Sequence, residues 1–228
     1  GFLAAALAAL FFSAAVPSTA GAATPDKSKG PAKAPGRPVP AKPVAAGSPT
    51  EQIRDTVSTI VAILKNPALK TEAKKNERRD QLRRAIYARF DFTEMARRSL
   101  GTEWRSLNPK QQEEFTKLFT DLLERAYLDQ IESYNNEKFA YIKETVDQEY
   151  AEVQGRILTG KGEEYSLDYR LRQAGREWKV YDVVVENISL VNNYRSQFSR
   201  VIANQSYDEL VRKMKDKQFA SASVEKKP

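Results

Sequence analysis

Acid–base or metal chemistry in this chain has to come from carboxylates. The 228 residues include no Cys and no His. That removes thiol nucleophiles, Ser-His-Asp triads and His or Cys metal sites. Three carboxylates stand in informative positions: Asp91, Asp182 and Glu186. A pair of them could move protons or hold a hard cation. Asp91, however, directly precedes a helical pattern and is placed to cap it, and Asp182 interrupts a run of β-branched residues that reads as a buried strand. Structural roles are the expectation for both. Neither a Gly-rich phosphate loop nor a nucleophile elbow occurs. The expectation is a protein that is not an enzyme and carries no metal or cofactor.

The large apolar side chains are the more distinctive resource. "FDFTEMARRSLGTEW" sets Phe90, Phe92, Met95, Leu100 and Trp104 among arginines. Phe115, Phe119 and Leu122 follow at helical spacing. Tyr165, Leu167, Tyr169 and Leu171 alternate along one strand. In the next strand strict alternation puts Val180, Asp182 and Val184 on one face and Tyr181, Val183 and Val185 on the other. These groups form either an ordinary closed core or a core left open around an apolar ligand. The pattern alone permits both.

The elements that must position them are legible. Ser48, Pro49 and Glu51 make a capping box with Pro at the first helical position, and Ile53, Val57, Ile60, Val61 and Leu64 form one apolar stripe. Asn66-Pro67 ends that helix. A second is expected from about Lys70 to Phe90, and a short third between Asp91 and Gly101. A long fourth starts at Asn108-Pro109 and carries its stripe through Leu123, Tyr127, Ile131 and Tyr134. The period then changes to two. "FAYIKETV", "EYAEVQGRIL", "EYSLDYRLRQ" and "EWKVYDVVVE" read as an antiparallel meander of about four strands. Helices return from Leu190 to Gln205 and from Ser206 to about Gln218. The fold class is α+β, with helices packed on one face of an antiparallel sheet.

The ends read differently. Residues 1–23 are apolar, then small and polar, with Ala20-Gly21-Ala22 as a cleavage site; this is the pattern of a signal peptide, and the apolar run is short for a membrane span. Residues 24–49 are rich in Pro and Lys and read as a disordered tether, residues 219–228 as a disordered tail, and residues 50–218 as the folded domain. Most of the net charge of +7 lies on the tether and tail, so a nucleic-acid partner is not expected. Inside the domain, residues 70–106 carry 11 basic and 6 acidic side chains, residues 107–150 carry 5 and 10. The two segments can complement one another or orient partners of opposite charge.

"RFDFTEMARRSLGTEW", "NPKQQEEFTKLFTDLLERAYLDQIESY", "LDYRLRQAGREWKVYDVVVENISL" and "YDELVRKM" together resemble the MlaC family, also called toluene-tolerance proteins, over about Pro49 to Lys217. Asn187 stands where that family commonly has Gly. The resemblance implies that the sheet is curved, and a soluble periplasmic carrier that encloses phospholipid tails in a deep apolar cavity. It implies exchange with an outer-membrane lipoprotein–porin complex and an inner-membrane ABC transporter bearing an MCE-domain subunit, so that outer-membrane lipid asymmetry is maintained. On this reading Phe90, Phe92, Met95, Leu100, Trp104, Phe115, Phe119, Leu122, Tyr165, Leu167, Tyr169, Leu171, Val180 and Val184 contribute to lipid binding, with Arg97 or Arg98 near the head group. The alternative is an interaction or scaffold module with a solid core.

Overall fold

The structure is a computed structural model that describes residues 47–219. The apolar leader, the Pro/Lys-rich segment up to residue 46 and the tail from residue 220 lie outside the described residues.

Four helices come first. Helix α1 (Pro49–Lys65) begins as its capping box requires: Ser48 Oγ accepts from Glu51 N–H, and Glu51 accepts from Ser48 N–H. Two 3-10 turns at Pro67–Leu69 and Glu72–Lys74 precede α2 (Lys75–Arg89), which therefore starts several residues later than the apolar spacing suggests. Helix α3 (Phe92–Leu100) is capped by Asp91, whose Oδ1 accepts from Glu94 N–H at 2.9 Å. Gly101, at φ 62°, turns the chain out of it. Helix α4 (Pro109–Glu132) opens with a second capping box, Asn108 with Gln111.

Strands β1 (Lys138–Asp147), β2 (Tyr150–Leu158), β3 (Glu164–Ala174), β4 (Glu177–Val185) and β5 (Ile188–Ser189) form one antiparallel sheet in sequence order. The fifth strand is two residues long and gives no periodic signal, which explains the expectation of about four. Glu186 (φ 48°) and Asn187 (φ 66°) make the two-residue turn between β4 and β5. Two positive φ angles define the hairpin turn that matches strand twist, and Asn tolerates that region without Gly. Helices α5 (Leu190–Asn204) and α6 (Tyr207–Lys215) close the chain.

The carboxylates prove structural. Asp182 is buried; its Oδ2 accepts from Ser189 Oγ at 2.6 Å and its Oδ1 from Val191 N–H at 3.0 Å, while Arg170 pairs with it at 3.2 Å. It fastens β4 to the start of α5. Asp91 also binds Arg172 at 2.6 Å, and Glu186 accepts from Ser166 N–H.

Register corrects one face assignment. Tyr169 pairs with Val183, but Leu171 pairs with Val180, because β4 carries an extra residue there. Such a bulge inverts the alternation. Val180 consequently shares a face with Val183 and Val185, and not with Asp182 and Val184. Strict period-two counting cannot anticipate this.

Apolar residues gather in two clusters. One lies among α3, α4, α5 and α6, where Phe115 meets Phe198 edge-on at 5.7 Å and Phe119 meets Tyr194 edge-on at 5.5 Å. The other lines the inner sheet face: Val153, Ile157, Leu167, Tyr169, Leu171 and Val180, with Ile53 of α1 set against it. Gly155, in the middle strand run, sits where a Cβ would come within 2.9 Å of Ala140 O and 3.0 Å of Leu167 O. Gly155→Ala is expected to force the strands apart and to destabilise the domain by about 2 kcal/mol or more in urea unfolding; a loss below about 0.5 kcal/mol would show that the sheet absorbs the methyl group.

Candidate apolar binding cavity

Helix α1 touches the sheet firmly only near its start. Ile53 is fully buried, and Gln52 Oε1 accepts from Trp178 N–H at 3.0 Å. Farther along, Val57, Ile60, Val61 and Leu64 are only half-buried, because they face a cavity. The space in which the centre of a water molecule fits there is about 230 Å³. The sheet supplies the opposite wall through Phe139, Ile157, Leu167, Tyr169, Val183 and Val185. Ile86, Tyr87 and Phe90 of the α2 end, with Phe92 and Met95 of α3, form one side. The second half of α4 forms the other through Leu123, Tyr127, Leu128 and Ile131, with Tyr134 just past its end.

The polar groups in this lining are few and mostly tied down. Arg89 donates to Thr56 Oγ1 at 3.1 Å, to Trp178 O at 2.7 Å and to Gln52 Oε1. Its acceptors are neutral, and burial holds its pKa below the usual arginine value. Gln130 Oε1 is buried without a hydrogen-bond partner among the described residues. Burial pushes the phenols of Tyr127 and Tyr169 well above the ordinary tyrosine range, so the wall offers no phenolate.

Between α2 and α4 the wall is bridged by charge. Arg78 and Arg79 hold Glu132 at 2.7 and 2.6 Å, Arg79 also reaches Asp129 at 2.5 Å, and Arg83 pairs with Glu124. Tyr87 donates to Glu124 at 3.2 Å. The basic and acidic segments read from the sequence thus meet each other here.

Five of the residues singled out in the sequence line the cavity: Phe90, Phe92, Met95, Leu167 and Tyr169. Phe115, Phe119 and Leu122 do not; they belong to the closed helical core, because the α4 stripe turns from α5 toward the cavity only at Leu123. Leu100 also closes that core, and with Trp104 it borders a separate surface recess. Leu171 and Val180 are packed on the sheet face beyond the cavity end, Tyr165 is half-buried at the margin of the same face, and Val184 faces away after the bulge. Arg97 and Arg98 both bind Glu94, at 2.7 and 2.6 Å, and neither lines the cavity. The α1 stripe and the second half of α4 were missed as wall residues. Their signal was two apolar stripes with no more sheet to cover than one helix needs.

Fold and cavity together define an α+β domain with an apolar cavity between its helices and its antiparallel sheet. Residues 54–216 match the MlaC protein family, and the chain belongs to it. It is 29% identical over 120 residues to the intermembrane phospholipid transport system binding protein MlaC of Haemophilus influenzae, a match covering 50% of this chain and 56% of that protein. It is 25% identical over 167 residues to toluene tolerance protein ttg2D of Pseudomonas putida, covering 72% of this chain and 78% of that one. Among solved structures, the phospholipid-binding protein of Ralstonia solanacearum, determined with a phospholipid bound, superposes with a TM-score of 0.64 at 27% identity, covering 73% of this chain and 94% of that one.

The α2–α4 bridge makes stability depend on pH. Burial alone would raise the Glu132 pKa, but hydrogen bonds from Arg79 and Arg78 outweigh it and hold the group below the usual carboxylate value. Its contribution is therefore full above the unfolded-state pKa of about 4.3 and is lost as pH falls through the folded-state value. Glu132→Gln should lower Tm at pH 7, and the gap to the unaltered protein should close on acidification below pH ~4. A gap that stays constant down to pH ~3 would exclude this assignment.

Proposed function

We propose that this protein is a periplasmic phospholipid carrier. Acyl tails occupy the cavity beneath α1, and the head group remains at its solvent side. The reading rests on one observation above others: four consecutive stripe residues of α1 face a void whose walls are apolar on every side. The lipid named for the Haemophilus relative and bound in the Ralstonia structure supports it. So does the fold shared with the Ralstonia protein.

Exposing two acyl tails to water is prohibitive, since each methylene is worth about 0.8 kcal/mol. Transfer from a bilayer into the cavity exchanges one apolar environment for another and is nearly neutral. The carrier can thus both load and unload, and direction comes from its docking partners. We assign these as an outer-membrane lipoprotein–porin complex and an inner-membrane ABC transporter with an MCE-domain subunit, working to maintain outer-membrane lipid asymmetry without catalysis. Export is directed by residues 1–23; the tether starts at residue 24 and ends before the α1 cap at Ser48, so that Ser48 and Pro49 belong to the domain that runs on to residue 218. The lipid-contacting set we propose is Phe90, Phe92, Met95, Leu167 and Tyr169, joined by Val57, Ile60, Val61, Leu64 and Tyr127.

An unfilled cavity leaves its apolar walls exposed to water, at roughly 25 cal/mol per Å² of apolar surface. Native mass spectrometry of the purified protein is expected to show one diacyl phospholipid per chain, and solvent extraction is expected to lower Tm by several degrees. Val61→Asp should reduce lipid occupancy at least tenfold, because it sets a carboxylate against the tails. Protein that refuses lipid from vesicles, or loads equally with Val61→Asp, points instead to a scaffold module whose cavity has no cargo.

A further inference from the structure

A second recess lies on the surface of the helical core, between α3, the 3-10 turn Gly101–Ser106 that follows it, and α5. Its volume is about 340 Å³. Its walls are built as two facing pairs. Thr102 and Arg105 stand three residues apart on the 3-10 turn, and Arg195 and Ser199 stand four apart on α5; each pair therefore projects from one side of its helix. Each wall contributes one guanidinium and one hydroxyl. Arg97 adds a third guanidinium and Trp104 an aromatic surface.

No carboxylate lines the recess. Glu94 is committed to Arg97 and Arg98, and Glu103 accepts from Ser106 Oγ at 3.0 Å. Arg105 makes no hydrogen bond or ion pair among the described residues. Arg195 uses only Nε, which donates to Arg98 O at 2.7 Å and fixes the side chain while its terminal nitrogens stay available. Arg97 is held bidentately by Glu94 at the recess edge, so Arg105 and Arg195 are the two lining guanidiniums with no carboxylate partner among the described residues, and an anion joining them would offset their like charge. Planar guanidinium forks match tetrahedral oxyanions, and the two hydroxyls supply further donors at the flanks.

We propose that this recess is a phosphate-binding site, separate from the cavity and filled by a phosphate group that either belongs to an anionic lipid head group or is free in solution. It does not depend on the cavity holding a lipid. The full chain is titrated with potassium phosphate against potassium chloride at equal ionic strength, and amide NMR shifts are followed at Thr102, Trp104 and Ser199. In a second arm it is sedimented with vesicles of phosphatidylglycerol or of phosphatidylcholine. Arg105→Gln removes a group with no structural partner; Arg84→Gln, an exposed arginine on α2 outside the recess, controls for net charge. Shifts with phosphate that weaken about fivefold in Arg105→Gln but not in Arg84→Gln establish a site for free phosphate. Silence to phosphate, with phosphatidylglycerol binding that falls about fivefold in Arg105→Gln alone, establishes the head group as the source. No response in either arm, or equal losses in the two variants, overturns the site.

Discussion

Val57, Ile60, Val61 and Leu64 sit on a helix that is kept off the sheet it covers. The rest of the domain is arranged around that separation. A free amphipathic helix would collapse onto the inner sheet face and bury its stripe. Here α1 is held against the sheet only near its start. Ile53 is buried, Gln52 binds the backbone of Trp178, and Glu144 of β1 accepts from Thr50 N–H at 2.7 Å. Arg89 ties Gln52, Thr56 and Trp178 together at that same end, and beyond it side chains of α2 and α4 form the walls.

The two apolar clusters do different work. The one among α3 to α6 is closed; its aromatic rings interlock and its largest side chains are fully buried. It supplies a rigid frame. The sheet-side cluster is complete only near Leu171, Trp178 and Val180, and opens toward Tyr169 and Val183. One domain therefore contains a packed core beside an unpacked one. Charge maintains the boundary. The arginines of α2 and the acids of α4 bridge the side of the cavity with ion pairs, which need no apolar filling behind them. Such bridges carry little stability where exposed, but Glu132 is well shielded and doubly bound.

For the carrier function we propose, the same separation would let exchange with a membrane run either way. The lining has no carboxylate other than Glu124, which is paired with Arg83, and almost no free donors. Nothing in it grips an acyl chain beyond its hydrophobicity. Tight polar recognition would trap the cargo, whereas a plain apolar surface holds it only against water.

Much of this was open to reading along the chain. Capping boxes at Ser48 and Asn108, the Asp91 cap, the long α4 stripe and the switch to period two gave the helices, the meander and the α+β class, because those signals are local. The absence of His and Cys, and the capping position of Asp91, already turned attention from catalysis to apolar surface. Distance between elements is not local. Phe119 and Tyr127 occupy equivalent stripe positions on one helix, yet the first is locked against Tyr194 and Phe198 and the second faces the cavity. Val180 and Val184 alternate correctly in sequence, yet one inserted residue in β4 sends them to opposite faces. A side chain carries its hydrophobicity in its own atoms; whether anything meets it is set by where the other elements stop.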